Sequence, residues 1–323
     1  MKDQADNLRK AIEKLGAVRV QEPDGGALSV RGDYTQAMRN AGPTVRRNMG
    51  PARVFAVASG KGGVGKTSVS VNLALALCEM LYKTLVIDAD IGLANVEVLF
   101  GLTPGHSLMD SINGDKPIRE IMCEGPRRVK LISGGSGVEE LARMGEVQMS
   151  GFISELSELD DEFDVIIIDT GAGVSETVLG MAVAADEAIV VTTPEPTSLT
   201  DAYALIKAVA ARDHDKLIRV VVNRSESESE ASEVMDKLAK VSDKFLDLKL
   251  YKLGYILNDP LVVRSIKQQQ PFILSSPYSR ASNSVRDIAR GLMEGEAGHL
   301  SEKHRGMSGF FDRIVKFVNM QLK

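Results

Sequence analysis

The residues best suited to chemistry in this 323-residue chain are two lysines, a threonine and three aspartates. Gly60-Lys61-Gly62-Gly63-Val64-Gly65-Lys66-Thr67-Ser68 packs four glycines into six positions ahead of Lys66 and Thr67. Glycines let consecutive backbone N–H groups converge on an anion without Cβ atoms in the way. The apolar run Val54–Ala58 before them reads as a strand, and Ser68–Leu77 after them as a buried helix. Strand, glycine loop, Lys-Thr and helix make a phosphate-binding loop. The helix N-terminus adds partial positive charge. Lys66 neutralises β- and γ-phosphates, and the Thr67 hydroxyl ligates Mg²⁺. A plain glycine-rich turn is the alternative, and the full spacing argues against it. Two further apolar runs end in carboxylates. The strand beginning Thr84-Leu-Val-Ile87 ends in Asp88 and Asp90, where nothing apolar requires an acid, so the strand end reads as functional. Val165–Ile168 buries a strand from which Asp169 emerges to hold a Mg²⁺-bound water, and Gly171 and Gly173 give the next segment room to rearrange.

Lys61 narrows the reading. GKGGVGKT, residues 60–67, resembles the deviant Walker A motif of the MinD/ParA group of ATPases. The resemblance implies that Lys61 reaches across a nucleotide-sandwich dimer to the partner's phosphates. Residues 84–95 resemble the switch I pattern hDxDxGLxN of that group. It implies that Asp88 hydrogen-bonds a Mg²⁺-bound water and that Asp90 orients the attacking water. The catalytic candidates are then Asp90, Lys61 and Lys66, and the metal set is Thr67, Asp88 and Asp169. Relatives mostly carry Pro where Gly171 stands, so a looser switch II is expected. Val220–Arg224 resembles the strand end whose Asn recognises adenine, which adds Asn223 and Arg224 to the nucleotide set of Gly60–Ser68. No Asn-Lys-x-Asp guanine reader is present, so ATP/ADP is expected rather than GTP. Ile256–Pro260 would close the other side of the base, and Thr192–Tyr203 would form dimer surface.

Composition removes several classes. A net charge of −5 and a pI near 5.6 argue against bulk nucleic-acid binding. The only cysteines are Cys78 and Cys123, and no Cys-x-x-Cys exists, which weakens an iron–sulfur reading. The start Met-Lys-Asp-Gln is unlike a signal peptide, and no apolar run reaches the ~20 residues of a membrane span. The expected compartment is the reducing cytoplasm.

The elements that must position these groups alternate. Strand candidates at 53–58, 84–88, 128–132, 164–168, 187–192, 218–223 and 250–256 are separated by connections long enough for helices. This predicts an α/β, doubly wound, mainly parallel sheet over 51–293. The acidic run 226–233 reads as a helix start. Arg46-Arg47 and Arg127-Arg128 read most simply as solvated charge, with an added anion contact as the alternative. Short helical appendages flank the domain. Residues 1–17 form one, with Ala5, Leu8, Ile12 and Leu15 at helical spacing, followed by a linker over 18–50. Asp3-Gln4-Ala5-Asp6-Asn7-Leu8-Arg9 resembles the DQAxxLR element of FlhG, the flagellar member of the MinD group. The resemblance implies that Asp3, Gln4, Ala5, Leu8 and Arg9 contact and activate the GTPase FlhF. After a linker over 294–307, residues 308–323 read as an amphipathic helix. Phe310, Phe311, Ile314, Val315, Phe317 and Val318 would enter a membrane surface, as the targeting helix of MinD does. A helix docked on the body is the alternative.

Together these resemblances imply a Mg²⁺-dependent ATPase, monomeric with ADP and dimeric on the cytoplasmic membrane face with ATP. It would control flagellar number or placement through FlhF, C-ring proteins and a flagellar transcription regulator. Rivals are a MinD-like division regulator, a ParA-like DNA-partitioning ATPase and an iron–sulfur scaffold.

Overall fold

The computed structural model describes residues 50–90, 95–134, 146–294 and 306–321. The partner-binding candidates Asp3, Gln4, Ala5, Leu8 and Arg9 lie outside these residues, as do positions 91–94 of the switch I pattern and Arg46-Arg47.

The chain enters at β1 (Arg53–Ser59) and runs through α1 (Lys66–Glu79), β2 (Thr84–Ala89), α2 (Asn95–Phe100) and α3 (Leu108–Ile112) to β3 (Cys123–Glu124) and β4 (Lys130–Ser133). Helices α4 (Glu146–Ser157) and α5 (Leu159–Glu162) lead to β5 (Val165–Ala172), α6 (Glu176–Ala184), β6 (Glu187–Thr192), α7 (Pro196–Ala210) and β7 (Ile218–Ser225). The last elements are α8 (Glu228–Leu246), β8 (Leu250–Leu257), α9 (Pro260–Lys267), α10 (Phe272–Ser275), α11 (Arg280–Glu294) and α12 (Gly306–Gln321). One sheet takes the order β3-β4-β2-β5-β1-β6-β7-β8, parallel except for β3–β4. All seven strand candidates are present, and β3 is an addition of two residues.

Alternation across the sheet explains the continuous apolar runs. On β1, Phe55 and Val57 join the core beneath α1 and α11, while Val54 and Ala56 join the core on the other face. Parallel register then fixes the chemistry. Asp88 of β2 and Val57 of β1 both pair with Asp169 of β5, so both carboxylates reach one end of the sheet beside the β1 loop. That crevice is where open α/β sheets bind ligands.

The acidic run opens a helix as expected. Ser227 caps α8 by accepting from Glu230 N, with Glu228 and Glu230 in the first turn. Arg127 is not solvated charge: it and Arg286 both pair with Glu79 of α1.

The C-terminal helix departs from expectation. It starts at Gly306, and its apolar face is packed on the protein in place of being free. Met307, Phe310, Phe311, Ile314 and Phe317 are all buried, against α4, α6 and the sheet. Val315 is half-buried, and the side chain of Val318 lies outside the described residues. Phe311 meets Phe310 and Phe152 edge-to-face at 5.1 and 5.5 Å. Asp160 accepts from Met307 N at 2.6 Å, and Arg313 pairs with Asp186 at 2.9 Å. The physical reason is that an apolar stripe needs cover, and the sheet face between α4 and α6 supplies it as well as lipid does.

Candidate nucleotide-binding and hydrolysis site

The loop after β1 delivers its backbone to the helix start without competition. Gly65, at φ 90°, precedes α1, no side chain caps that N-terminus, and its first turn holds no acid. The N–H groups there remain for an anion. A Cβ on Gly60 would run into the Asp201 carbonyl of α7, so the loop sits directly on that helix.

Asp169 is the centre of the buried charge. Its Oδ1 accepts from Ser70 Oγ at 2.7 Å and lies 3.5 Å from Lys66 Nζ, and the Thr67 hydroxyl is close enough to help stabilise the charged carboxylate. Oδ2 is buried and has no hydrogen-bond partner among the described residues. Burial pushes the Asp169 pKa up, opposed first by Lys66. Asp88, its neighbour on β2, accepts from Asp90 N and Val96 N at 3.2 and 3.0 Å. Its pKa is pushed up to about 6, chiefly by burial, with the Asp169 charge adding to it. Two buried carboxylates side by side, one with a bare oxygen and a threonine hydroxyl adjacent, fit a hard divalent cation.

Asp90 is half-buried, and its Oδ2 accepts from Asn95 Nδ2 at 3.3 Å. A Cβ on Gly171 would stand 3.2 Å from Asp90 Oδ1, so glycine there admits Asp90 close to switch II. Strand β5 continues through Ala172, and Gly173 N donates to Ser59 O at 2.8 Å.

Lys61 points back onto its own chain. Its Nζ lies 3.0 Å from Glu195 Oε2 and 2.9 Å from Thr197 Oγ1, at the start of α7. Glu195 carried no signal as a lysine partner in the sequence. Asn223, at the end of β7, donates from Nδ2 to Val64 O at 2.7 Å, and Arg224 beside it takes φ 59°. A cleft next to them is lined by Ser68, Asn223, Ile256, Asn258, Val263 and Ile266. The apolar wall from α9 was missed, because its short amphipathic pattern gives no hint of a ligand.

Comparison with known proteins agrees with this geometry. Residues 51–293 match the family described as "ParA: NUBPL iron-transfer P-loop NTPase". The chain belongs to the ParA family. Within it, this ParA-family protein falls in the FleN/FlhG branch. It is 40% identical over 271 residues to the antiactivator FleN of Pseudomonas aeruginosa, covering 83% of this chain and 95% of that one. It is 35% identical to the flagellum site-determining protein YlxH of Helicobacter pylori, over 84% of this chain and 92% of that one. Among solved structures, the Aquifex aeolicus MinC:MinD cell division complex superposes with a TM-score of 0.61 at 26% identity, covering 77% of this chain and 99% of that one. MinD of Pyrococcus horikoshii complexed with Mg-ADP shares the fold, with a TM-score of 0.58 at 24% identity over 77% of this chain and all of that one.

Proposed function

We propose that this ParA-family protein is an ATP-hydrolysing dimerisation switch that regulates flagellar number or placement. The observation that carries the reading is the cluster of Lys66, Thr67, Ser70, Asp88 and Asp169 behind an uncapped helix N-terminus. Thr67, Asp88 and Asp169 would hold Mg²⁺, which neutralises phosphate charge when bound. Lys66 leaves Asp169 for the β- and γ-phosphates. Asp90, steadied by Asn95, orients water for attack on the γ-phosphate. Lys61 exchanges Glu195 for the partner protomer's phosphates, which couples ATP to dimer formation. Its exposed position favours this, since Glu195 and Thr197 hold it at the surface.

Helix α12 is the membrane element of the proposal, released from its dock in the ATP-bound dimer. A single amphipathic helix binds lipid weakly and two bind far better. The N-terminal residues Asp3–Arg9 would stimulate an FlhF-type GTPase. C-ring proteins would be further partners, and the similarity to the antiactivator FleN supports a flagellar transcription regulator as another. Iron transfer is not carried over from the family description, because the sequence has only Cys78 and Cys123, no Cys-x-x-Cys, and Cys78 is buried in the core.

Light scattering after size-exclusion in Mg-ATP tests the switch. Asp90→Ala should accumulate as ATP-bound dimer, and Lys61→Ala should bind nucleotide yet stay monomeric. An Asp90→Ala chain that is saturated with ATP and still monomeric would remove the sandwich dimer.

A further inference from the structure

The carboxamide of Asn223 has a second role available besides meeting a base. Asn223 is 8% exposed, and both ends of its side chain are committed to backbone. Nδ2 donates to Val64 O at 2.7 Å, and Oδ1 accepts from Arg224 N at 3.0 Å. A carbonyl at one end and an N–H at the other fix which end is nitrogen. Val64 O belongs to the peptide joining Val64 to Gly65, one residue ahead of Lys66 and the start of α1. No described peptide bond is cis. In a trans peptide the C=O and N–H point to opposite sides. Holding the Val64 carbonyl toward β7 therefore turns the Gly65 N–H the other way, as a nest of N–H groups around an anion requires. The fit is close. A Cβ on Gly65 would overlap Asn223 Nδ2, so this approach exists only because that residue is glycine.

We propose that Asn223 is a positioning residue for the phosphate loop: it holds the Val64–Gly65 peptide so that the Gly65 N–H faces phosphate. The proposal rests on the nucleotide-binding reading above and goes beyond base recognition. The cleft at the base and the loop at the phosphates then share one side chain, 159 positions from Val64.

The test uses a ligand with phosphates and no base. The full chain is titrated calorimetrically with Mg-tripolyphosphate and, separately, with Mg-ATP. Asn223→Ala should weaken tripolyphosphate about three- to tenfold, the worth of one buried hydrogen bond. Asn223→Asp has the same shape but sets an oxygen against Val64 O, and should weaken it more. Melting curves identify a variant that fails to fold, and if Asn223→Ala is that variant, Asn223→Asp carries the comparison. Folded variants that bind tripolyphosphate as the unaltered chain does, while losing ATP, would overturn the proposal and leave Asn223 a base reader only. An unaltered chain that binds neither ligand would instead remove the nucleotide-binding reading.

Discussion

Truncating Phe311 measures how much of the fold depends on the docked C-terminal helix. Phe311 is 3% exposed and is wedged between Phe152 and Phe310. Removing a buried Phe side chain costs ~3–5 kcal/mol, and each edge-to-face pair accounts for ~0.5–1.5 kcal/mol of that. A small apolar cavity already lies beneath α12, lined by Ile87, Leu156, Met181 and Phe311 among others. Packing that is already incomplete can relax, so the lower end, ~3 kcal/mol, is expected. For a domain of this size each kcal/mol moves the melting temperature by about 2–4 °C. Phe311→Ala should therefore melt roughly 6–12 °C below the unaltered chain, without nucleotide or lipid, by circular dichroism. An exposed membrane-seeking helix predicts no change, because its Phe would be solvated before and after. A shift under about 2 °C would refute the docked arrangement.

Three more outcomes follow from the same contacts. Ser70→Ala leaves Asp169 Oδ1 without its 2.7 Å donor; the buried carboxylate should lose ~1–3 kcal/mol of support, seen as a lower melting temperature and a several-fold higher Mg²⁺ requirement for ATP binding. Asp160 of α5, which accepts from the first turn of α12, has its pKa pushed up to about 6, mainly by burial. A carboxyl raised in the fold binds its proton more tightly folded than unfolded, so acidification from pH 7 toward 5 should favour the fold. Asp160→Asn should reduce that gain in a pH series of melting curves; an identical slope in both chains would count against it. The Lys61–Glu195 pair is exposed on both sides, at 38% and 60%, and such pairs contribute ~0–1 kcal/mol. Glu195→Gln should thus leave stability almost unchanged while lowering the protein concentration needed for the Mg-ATP dimer in light scattering.

What the sequence disclosed and what it withheld divide along a physical line. Strands β1, β2, β5, β6 and β7 were legible because a parallel sheet covered on both faces demands continuous apolar runs. The phosphate loop was legible because its chemistry is local: glycines, Lys66 and Thr67 act within one turn of chain. Strand β3 is two residues long and leaves no periodic trace. The long-range partners were equally silent. Asn223 meets Val64 and Lys61 meets Glu195 through the sheet order, which no local pattern encodes. Arg53 and Arg219 likewise share Glu187 within the buried end of the sheet, a pairing that only the sheet order sets up.

Helix α12 shows the same division within one element. Phe310, Phe311, Ile314 and Phe317 prescribe a face that water must not cover, but hydrophobic burial is non-directional and does not name the cover. Each such side chain gains ~1.5–3 kcal/mol from burial, so the four together gain ~6–12 kcal/mol against the body before ordering costs. Under the proposed membrane role, lipid would offer a comparable gain for the same face, and docking and membrane binding would compete for it. Membrane attachment that depends on nucleotide needs only the difference between two similar numbers. In the proposed switch that difference would be tuned by polar latches, Asp160 of α5 on the Met307 N–H and Asp186 on Arg313, whose partners are known only once the chain is folded.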